Sequence, residues 1–283
     1  MRKILICTNP DRDINLGVTE KLRDMIGARA EVMVRMIHYA GIRAEDAGKL
    51  GRDLKKMIAG ADLAVAIGGD GTIMHAARAA APYGKPVLGI NKGHKGFLAD
   101  LDETNLGLFE RVISGDFEID SRMMLDVSIQ RGGKTIFGDF AINDAVMSGL
   151  SRMVSVSVYA NGIKIAKFSG DGVIIASPTG STAYSMSAGG PIIEPAAKNI
   201  VITPICSHAL IAKPFVLADD KEITAKVNSP GGIEAYAVVD GGQGIKLEAG
   251  DILKIKKSKY ETRLIKVTDK SFYETVSEKL GEI

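Results

Sequence analysis

The sequence predicts an α/β domain with a parallel sheet, then an all-β domain, and a last helix that returns to the first domain. Three observations support this prediction. Short apolar runs alternate with helical patterns over the first hundred residues, apolar and polar residues alternate between turns beyond residue 120, and a helical spacing returns after Thr268. We place the α/β domain at residues 1–120 with 261–283 and the all-β domain at residues 121–260.

In the first domain, four apolar runs are typical of strands. They span residues 4–7, 32–37, 63–67 and 87–90. The connectors between them have helical spacing: Leu22, Met25 and Ile26 share one helical face, and the same spacing recurs around Leu54. Apolar strands joined by helical crossovers indicate a parallel sheet buried on both faces, and ligands of such sheets bind beyond the carboxyl ends of the strands.

The second half of the sequence predicts strands and tight turns. Residues 154–158 alternate valine with serine before Asn161-Gly162, which predicts a hairpin. Residues 223–227 also alternate apolar with polar side chains, and a Ser-Pro-Gly-Gly turn follows them. Apolar residues then recur every four positions over 272–280, and this helix must bury its apolar stripe, so we expect it to pack on the first domain.

Composition excludes several classes of protein. Hydrophobic residues make up 46% and charged residues 25%, as in globular proteins. The net charge of +2 is too small for a protein that neutralises a long phosphate backbone, so we expect no nucleic-acid partner. No stretch reaches the roughly eighteen apolar residues of a membrane span, so we expect no membrane partner. Cys7 and Cys206 form no disulfide framework or metal motif, which favours a cytoplasmic protein.

The strongest motif is Gly68-Gly69-Asp70-Gly71-Thr72, between the third strand and a helix predicted over 73–81. Glycine lets backbone amides approach a phosphate, and a helix N-terminus adds a positive dipole, so the glycines and Thr72 are candidate phosphate-binding residues. A carboxylate here repels phosphate, so we expect Asp70 either to bind a cation or to transfer a proton. The alternative is that Asp70 only caps the helix and the glycines only turn the chain.

Three further segments combine polar and small residues. Residues 91–98 follow the fourth strand at the same sheet edge, where their lysines could meet phosphates or simply be solvated. Residues 170–191 are rich in hydroxyls and glycine, which favours a surface for sugar hydroxyls and a flat base over a flexible linker. Asn143-Asp144 interrupts an apolar run and is either a binding pair or an Asx turn.

In this order, these segments resemble the NAD kinase family, which phosphorylates the adenosine ribose 2′-hydroxyl of NAD. The resemblance also includes residues 122–125 and 203–208. The Pro-Thr-Gly-Ser-Thr-Ala-Tyr string at 178–184 is the most specific part, because lipid kinases and phosphofructokinases carry a similar Gly-Gly-Asp-Gly. Asp144 stands where the family usually has Glu, and residues 240–243 hold one glycine more than the family's Asp-Gly-Gln.

The resemblance implies phosphoryl transfer from ATP or polyphosphate to NAD, a divalent cation that we expect to be Mg²⁺, and a homodimer or homotetramer. Asp70 would be the catalytic residue that acts on the 2′-hydroxyl. The residues implied around NAD are Asp70, Gly71, His75, Asn143, Asp144, Asp171, Thr179, Thr182, Ala183, Tyr184, Ser187 and Gln243. The alternatives are a lipid or sugar-phosphate kinase that shares the loop, and a non-catalytic NAD(P) sensor.

Overall fold

The computed structural model describes residues 2–37, 44–93, 96–208, 212–228 and 234–281, with backbone only over 44–50. His94, Lys95 and the turn predicted at 229–232 lie outside the described residues. The chain divides into two compact units, one of residues 1–121 with 260–283 and the other of residues 122–259.

The first unit is an α/β fold. Its strands are β1 (Arg2–Thr8), β2 (Ala30–Met36), β3 (Leu63–Gly68), β4 (Val87–Asn91) and β5 (Leu101–Asp102). Its helices are α1 (Gly17–Ile26), α2 (Ala44–Gly60), α3 (Asp70–Ala80), α4 (Phe109–Ser114) and α6 (Phe272–Leu280). The four predicted strands are therefore present, in the order β2-β1-β3-β4, and they are parallel to one another.

Burial explains why this sheet is so apolar. Every residue of β3 is buried, because helices cover the sheet and leave the central strands no face toward water. On one face, Ile6 and Val65 belong to a core with Leu22 of α1 and Phe109 of α4. The helical crossovers thus bring the carboxyl ends of β3 and β4, and the segments that follow them, to one edge of the sheet.

The second unit is built from strands. They are β6 (Glu118–Arg131), β7 (Lys134–Ala141), β8 (Asp144–Gly149), β9 (Val154–Ala160), β10 (Ile163–Gly170), β11 (Gly172–Ala176), β12 (Asn199–Ile205), β13 (Phe215–Ala218), β14 (Ile223–Val227), β15 (Ala235–Val239), β16 (Ile245–Leu247) and β17 (Ile252–Lys266). One short helix, α5 (Tyr184–Ser187), interrupts them. The chain passes from the first unit into the second within β6 and returns within β17.

These strands form a sandwich of antiparallel sheets. One sheet has the order β13-β12-β11-β8-β15-β16; the other contains β10-β9-β14-β17, with β6 paired to β17 and β7. A single core draws Val173 and Ile175 from the first sheet and Val156 and Val158 from the second, as in packed β-sandwiches. The predicted fold class is therefore confirmed.

Two details differ from the prediction. Helix α3 begins at Asp70 rather than near residue 73, because the carbonyl oxygen of Gly69 accepts hydrogen bonds from Thr72 N at 2.9 Å and Ile73 N at 3.2 Å. Helix α6 belongs to the first unit but buries no residue completely, and Leu280 stays 45% exposed. Among the described residues, no helix is both long and apolar enough to cross a membrane.

Candidate active site

The Gly-rich motif forms a sharp turn between β3 and α3. Gly68 has φ +156°, and a Cβ atom there would lie 2.5 Å from Thr72 Oγ1, so no larger residue fits. Gly69 is the N-cap residue of α3, and Asp70 follows it in the first turn. The Asp70 carboxylate therefore lies at the positive end of the helix dipole, where negative charge is stabilised.

The Asp70 side chain is held by a neighbouring loop and not by its own helix. Its Oδ2 accepts a hydrogen bond from the Phe97 backbone N–H at 2.8 Å, and its Oδ1 accepts one from Leu98 N–H at 3.3 Å. Among the residues that the structure describes, no side chain caps α3. The capping alternative for Asp70 is therefore wrong, and its carboxylate is fixed in orientation by amides 27 and 28 residues away.

Gly96 permits this close approach. A Cβ atom built on Gly96 would overlap Asp70 Oδ1 and lie within 2.8 Å of Oδ2. In the predicted segment 91–98, Gly96 therefore allows the loop to pack against the Asp70 carboxylate, in addition to turning the chain.

Other residues of segment 91–98 have structural partners. Lys92 N–H donates to Gly68 O at 2.9 Å, which ties this segment to the Gly-rich turn. The Lys92 ammonium pairs with Glu103 at 2.6 Å and its side chain is only 15% exposed. Asn91 is buried, and its Oδ1 has no hydrogen-bond partner among the described residues. Lys92 is thus engaged by a carboxylate here, neither simply solvated nor free for a phosphate.

In the second unit, Asn143 and Asp144 lie at one end of the sandwich, held by a third residue. Asp240 accepts hydrogen bonds from the backbone N–H groups of Ile142 and Asn143, both at 2.8 Å, and of Asp144 at 3.1 Å. Asp240 follows β15 with φ +48°, a conformation that Asp tolerates better than most residues. The Asn143-Asp144 pair is therefore a rigid turn fixed from about a hundred residues away.

The turn after β11 packs on the same pair. Ser177 N–H donates to Asn143 O at 2.8 Å, and Ser177 Oγ donates to Ile142 O at 2.5 Å. Gly180 lies so close to Asn143 O that any Cβ atom would overlap it. Since Ala176 of β11 is paired with Asp144 of β8, these turns meet at one end of the sheet.

Many hydroxyls of this cluster face inward, which the sequence did not predict. Ser177, Ser181 and Ser185 are fully buried; Ser181 Oγ donates to Pro178 O at 2.6 Å, and Ser185 Oγ lies 2.8 Å from Thr203 Oγ1. These hydroxyls hold the loop and do not form a ligand surface. Thr179 differs, because its Oγ1 is buried and has no hydrogen-bond partner in the described part of the chain. A bound ligand or water would satisfy it.

Asp144 is a candidate residue whose pKa is strongly shifted from its ordinary value. Its side chain is 5% exposed. Burial, and secondarily the charge of Asp240, raises its pKa to about 7. Near neutral pH, the carboxyl can therefore donate or accept a hydrogen bond.

The remaining predicted residues fall into three groups. Thr182, Ala183, Tyr184 and Ser187 lie on the short helical turns after β11, with Tyr184 47% exposed. Gln243 is exposed in the turn after Asp240, and His75 is exposed on α3. Asp171 is exposed and directly precedes β11.

Asp171 lies at the opposite end of the sandwich sheet from Asn143 and Asp144. Gly172 of β11 pairs with Ser148, whereas Ala176 pairs with Asp144. Five residue steps along a strand separate Asp171 from Ala176 by about 17 Å. A single chain therefore does not bring Asp171 to the Asn143-Asp144 turn.

No resident metal site is visible in the described residues, which contain no group of three His, Cys, Asp or Glu side chains placed to hold an ion.

Comparison with known families matches both units. The ATP-NAD kinase N-terminal domain matches residues 4–117 and the ATP-NAD kinase C-terminal domain matches residues 144–267. The NAD kinase of Caldanaerobacter subterraneus subsp. tengcongensis is 36% identical over 286 residues, covering 100% of both chains. The NAD kinase of Moorella thermoacetica is 42% identical over 221 residues, covering 77% of this chain and 70% of its own.

Solved structures show the same fold. Yeast NADH kinase complexed with NADH has a TM-score of 0.84 at 24% identity and covers 99% of this chain and 88% of its own. An NAD kinase from Archaeoglobus fulgidus in complex with ATP has a TM-score of 0.74 at 21% identity and covers 99% of each chain. The domain matches and the full-length relatives establish that this chain belongs to the NAD kinase family.

Proposed function

We propose that this NAD kinase transfers the terminal phosphoryl group of ATP, or of polyphosphate, to the 2′-hydroxyl of the adenosine ribose of NAD, with Asp70 as general base. The hydroxyl oxygen forms a bond to phosphorus as the bond from phosphorus to the leaving oxygen breaks. The leaving group departs with that electron pair, and the hydroxyl proton passes to Asp70. The products are NADP and ADP, or a shortened polyphosphate.

The observation that carries this proposal is the fixed Asp70 carboxylate. Two backbone amides orient it, and Gly96 leaves it room. Each carboxylate oxygen has a second lone-pair direction, so it can accept a proton while keeping its amide bond. A positioned base is needed because an alcohol is a poor nucleophile until its proton is removed.

For NAD, we propose the Asn143-Asp144 turn and the loop at 179–187 as the holding surface. The turn is rigid because Asp240 and Ser177 fix its backbone. Amide and carboxyl groups suit the two hydroxyls of a ribose. Thr179 Oγ1, which has no hydrogen-bond partner among the described residues, and the exposed Tyr184 ring add a hydroxyl and a flat surface beside the turn.

The divalent cation, proposed to be Mg²⁺, enters with the phosphoryl donor as part of that substrate. Mg²⁺ keeps several waters and takes one or two carboxylates plus substrate phosphates, so it needs no protein cage. Its charge would offset that of the phosphates near Asp70.

We further propose a homodimer or homotetramer in which a second copy supplies Asp171. Asp171 lies about 17 Å, by strand rise, from the end of β11 that meets Asn143-Asp144. Gly149 N–H donates to Asp171 O at 2.9 Å, and the segment that follows exposes Leu150 by 65% and Met153 by 45%. Exposed apolar residues beside a substrate-binding candidate favour an interface there.

We also propose that the protein is cytoplasmic. Cys7 is buried and Cys206 is exposed, and both are free. Free thiols are typical of proteins in reducing compartments.

The test is Asp70→Asn, compared with Asp116→Asn, an exposed carboxylate of the same unit. We expect Asp70→Asn to lower kcat by roughly 10²- to 10⁴-fold with little change in NAD affinity or Tm, because the proton acceptor is lost while the Asn oxygen can still accept the shorter hydrogen bond, from Phe97 N–H. NADP formation from NAD, ATP and Mg²⁺ measures it, and Asp116→Asn should match the parent.

Activity of Asp70→Asn within a few-fold of the parent contradicts the base role. Turnover that returns with excess Mg²⁺ would make Asp70 a cation ligand instead, since mass action refills a weakened ion site but cannot replace a base.

A further inference from the structure

The backbone that orients Asp70 belongs to a residue whose ring is held by helix α6. Phe97 N–H donates to Asp70 Oδ2 at 2.8 Å. The Phe97 ring centroid lies 6.4 Å from that of Phe272, with the two rings tilted by 43°. From the other end of α6, Lys279 Nζ lies 4.2 Å from the same centroid. One helix therefore contacts the ring at two points about two turns apart.

Helix α6 is itself fixed at its start. Ser271 Oγ accepts from Glu274 N–H at 3.1 Å, while the Glu274 carboxylate accepts from Ser271 N–H at 2.7 Å, a reciprocal capping box. Lys270 pairs with Glu278 at 2.6 Å. The helix thus has a defined first residue and a defined direction.

The segment before α6 is joined to the segment after Phe97. The Asp100 carboxylate accepts hydrogen bonds from Val267 N–H at 2.6 Å, Thr268 N–H at 3.0 Å and Thr268 Oγ1 at 2.8 Å. Only two residues separate Phe97 from Asp100. The 97–100 segment is therefore held by the chain around α6 at both of its ends.

We propose that helix α6, through Lys279 and Phe272, is a positioning element for Asp70. It holds the Phe97 ring, and so sets the direction of the Phe97 N–H that orients the carboxylate. Lys279 and Phe272 are positioning residues for phosphoryl transfer and have no contact with the reacting atoms in this role. The inference rests on the proposed function, because it assumes that Asp70 is the base.

A purely structural role for these contacts makes a different prediction. If α6 only stabilised the first unit, its loss would lower Tm and the amount of active enzyme, without a specific effect on the chemical step. A positioning role lowers kcat in the folded enzyme, because a misdirected base costs rate even when substrates still bind.

The experiment uses Lys279→Ala and Lys279→Arg in the full chain, with Ser277→Ala as the matched control on the exposed side of α6. We expect Lys279→Ala to lower kcat about 2- to 30-fold, the range set by a cation–π contact. The KM values for ATP and NAD should change less than about twofold. Lys279→Arg should restore the rate, since guanidinium also stacks on aromatic rings.

Phe272→Leu is the second variant, and it removes the ring contact while keeping an apolar residue. Amide hydrogen exchange at Phe97 and Leu98 should become faster in both Lys279→Ala and Phe272→Leu. In an Asp70→Asn background, Lys279→Ala should add almost no further loss of kcat, because both changes act on the same group.

Three results would overturn the proposal: an unchanged kcat in both variants, unchanged exchange at Phe97 and Leu98, or an equal loss of kcat with and without Asp70. None of these results would affect the base role, which the Asp70→Asn single variant tests alone. Conversely, full activity of Asp70→Asn would refute the base role of Asp70 in the proposed function, while the exchange data still report the contact between α6 and the 97–98 backbone.

Discussion

At the scale of single residues, the titration of Asp144, a candidate ribose-binding residue, makes the stability of the fold depend on pH. In the folded chain its pKa is raised to about 7 by burial and by Asp240, whereas an unfolded Asp titrates near 4. Between those pH values the folded chain binds more protons than the unfolded chain. The free energy of unfolding therefore decreases as pH rises from about 4 to 7. The destabilisation reaches its full value above that range.

Asp144→Asn removes this titration while keeping the size of the side chain. We expect the variant to be more stable than the parent at pH 8, by about 1–4 kcal/mol, since each pKa unit corresponds to about 1.4 kcal/mol. At pH 4 the two should melt within a degree or two of each other, because Asp144 is then neutral. Thermal melts at the two pH values measure this difference.

Asp220→Asn is the control for Asp144→Asn, since Asp220 is an exposed carboxylate of the same unit. Because its side chain is exposed and contributes little to packing, Asp220→Asn should melt within a degree or two of the parent at pH 8, where Asp144→Asn should be clearly more stable. An equal shift in Tm at both pH values for Asp144→Asn would refute the raised pKa.

The sequence singles out Asp70 because a carboxylate inside a Gly-rich phosphate loop is unexpected, and Asn143-Asp144 because the pair interrupts an apolar run. It does not reveal that Asp240 fixes the Asn143-Asp144 turn. Three hydrogen bonds that span about a hundred residues leave no local pattern. The inward-facing serines were missed for the same reason, since composition does not reveal which face of a loop is buried.

At the scale of elements, strands were easier to predict than the start of α3. Uniformly apolar runs such as β3 identify buried parallel strands. The helix start depends on which carbonyl accepts the first hydrogen bonds, and Gly69 takes that role ahead of Thr72. The difference matters, because it places Asp70 in the first turn with its side chain free of capping and available to the 97–98 amides.

The contact between the 96–98 loop and α3 yields a prediction for Gly96→Ala. A methyl group at Gly96 would overlap the Asp70 carboxylate, so either the loop or the carboxylate must move. We expect kcat to fall by about 10²-fold, the usual order for a displacement of about 1 Å at a reacting group. Steady-state kinetics with circular dichroism to confirm folding measure the effect.

Gly107→Ala is the matched control in the same unit, because a Cβ atom at Gly107 would have no other atom within 4 Å among the described residues. It should keep parent kinetics. Parent activity in Gly96→Ala would mean that the carboxylate is not held where catalysis needs it.

At the scale of the whole molecule, the sequence motif and the strand order give different information about Asp171. In the sequence, Asp171 lies eight positions before Thr179 and is grouped with the Thr179 to Tyr184 cluster. In the fold, β11 lies between them and carries them to opposite ends of one sheet. Adjacency along the chain therefore cannot decide whether two residues serve one site, and our proposal is that a second copy of the chain brings Asp171 to the NAD held by Asn143-Asp144.

This requirement can be tested by mixing two variants that are each defective. In a mixed dimer of Asn143→Ala and Asp171→Ala, one of the two sites would hold an intact Asn143 from one copy and an intact Asp171 from the other. Random reassociation of equal amounts makes half of the dimers mixed, so activity should recover to about a quarter of the parent value.

Asn143→Ala mixed with Thr179→Val is the control, because both residues lie at the same end of the sheet and no intact site can form. Recovery in the first mixture alone supports a site shared between copies. No recovery in either mixture, with each variant still oligomeric by light scattering, would mean that Asn143 and Asp171 act from the same chain and would refute the shared site.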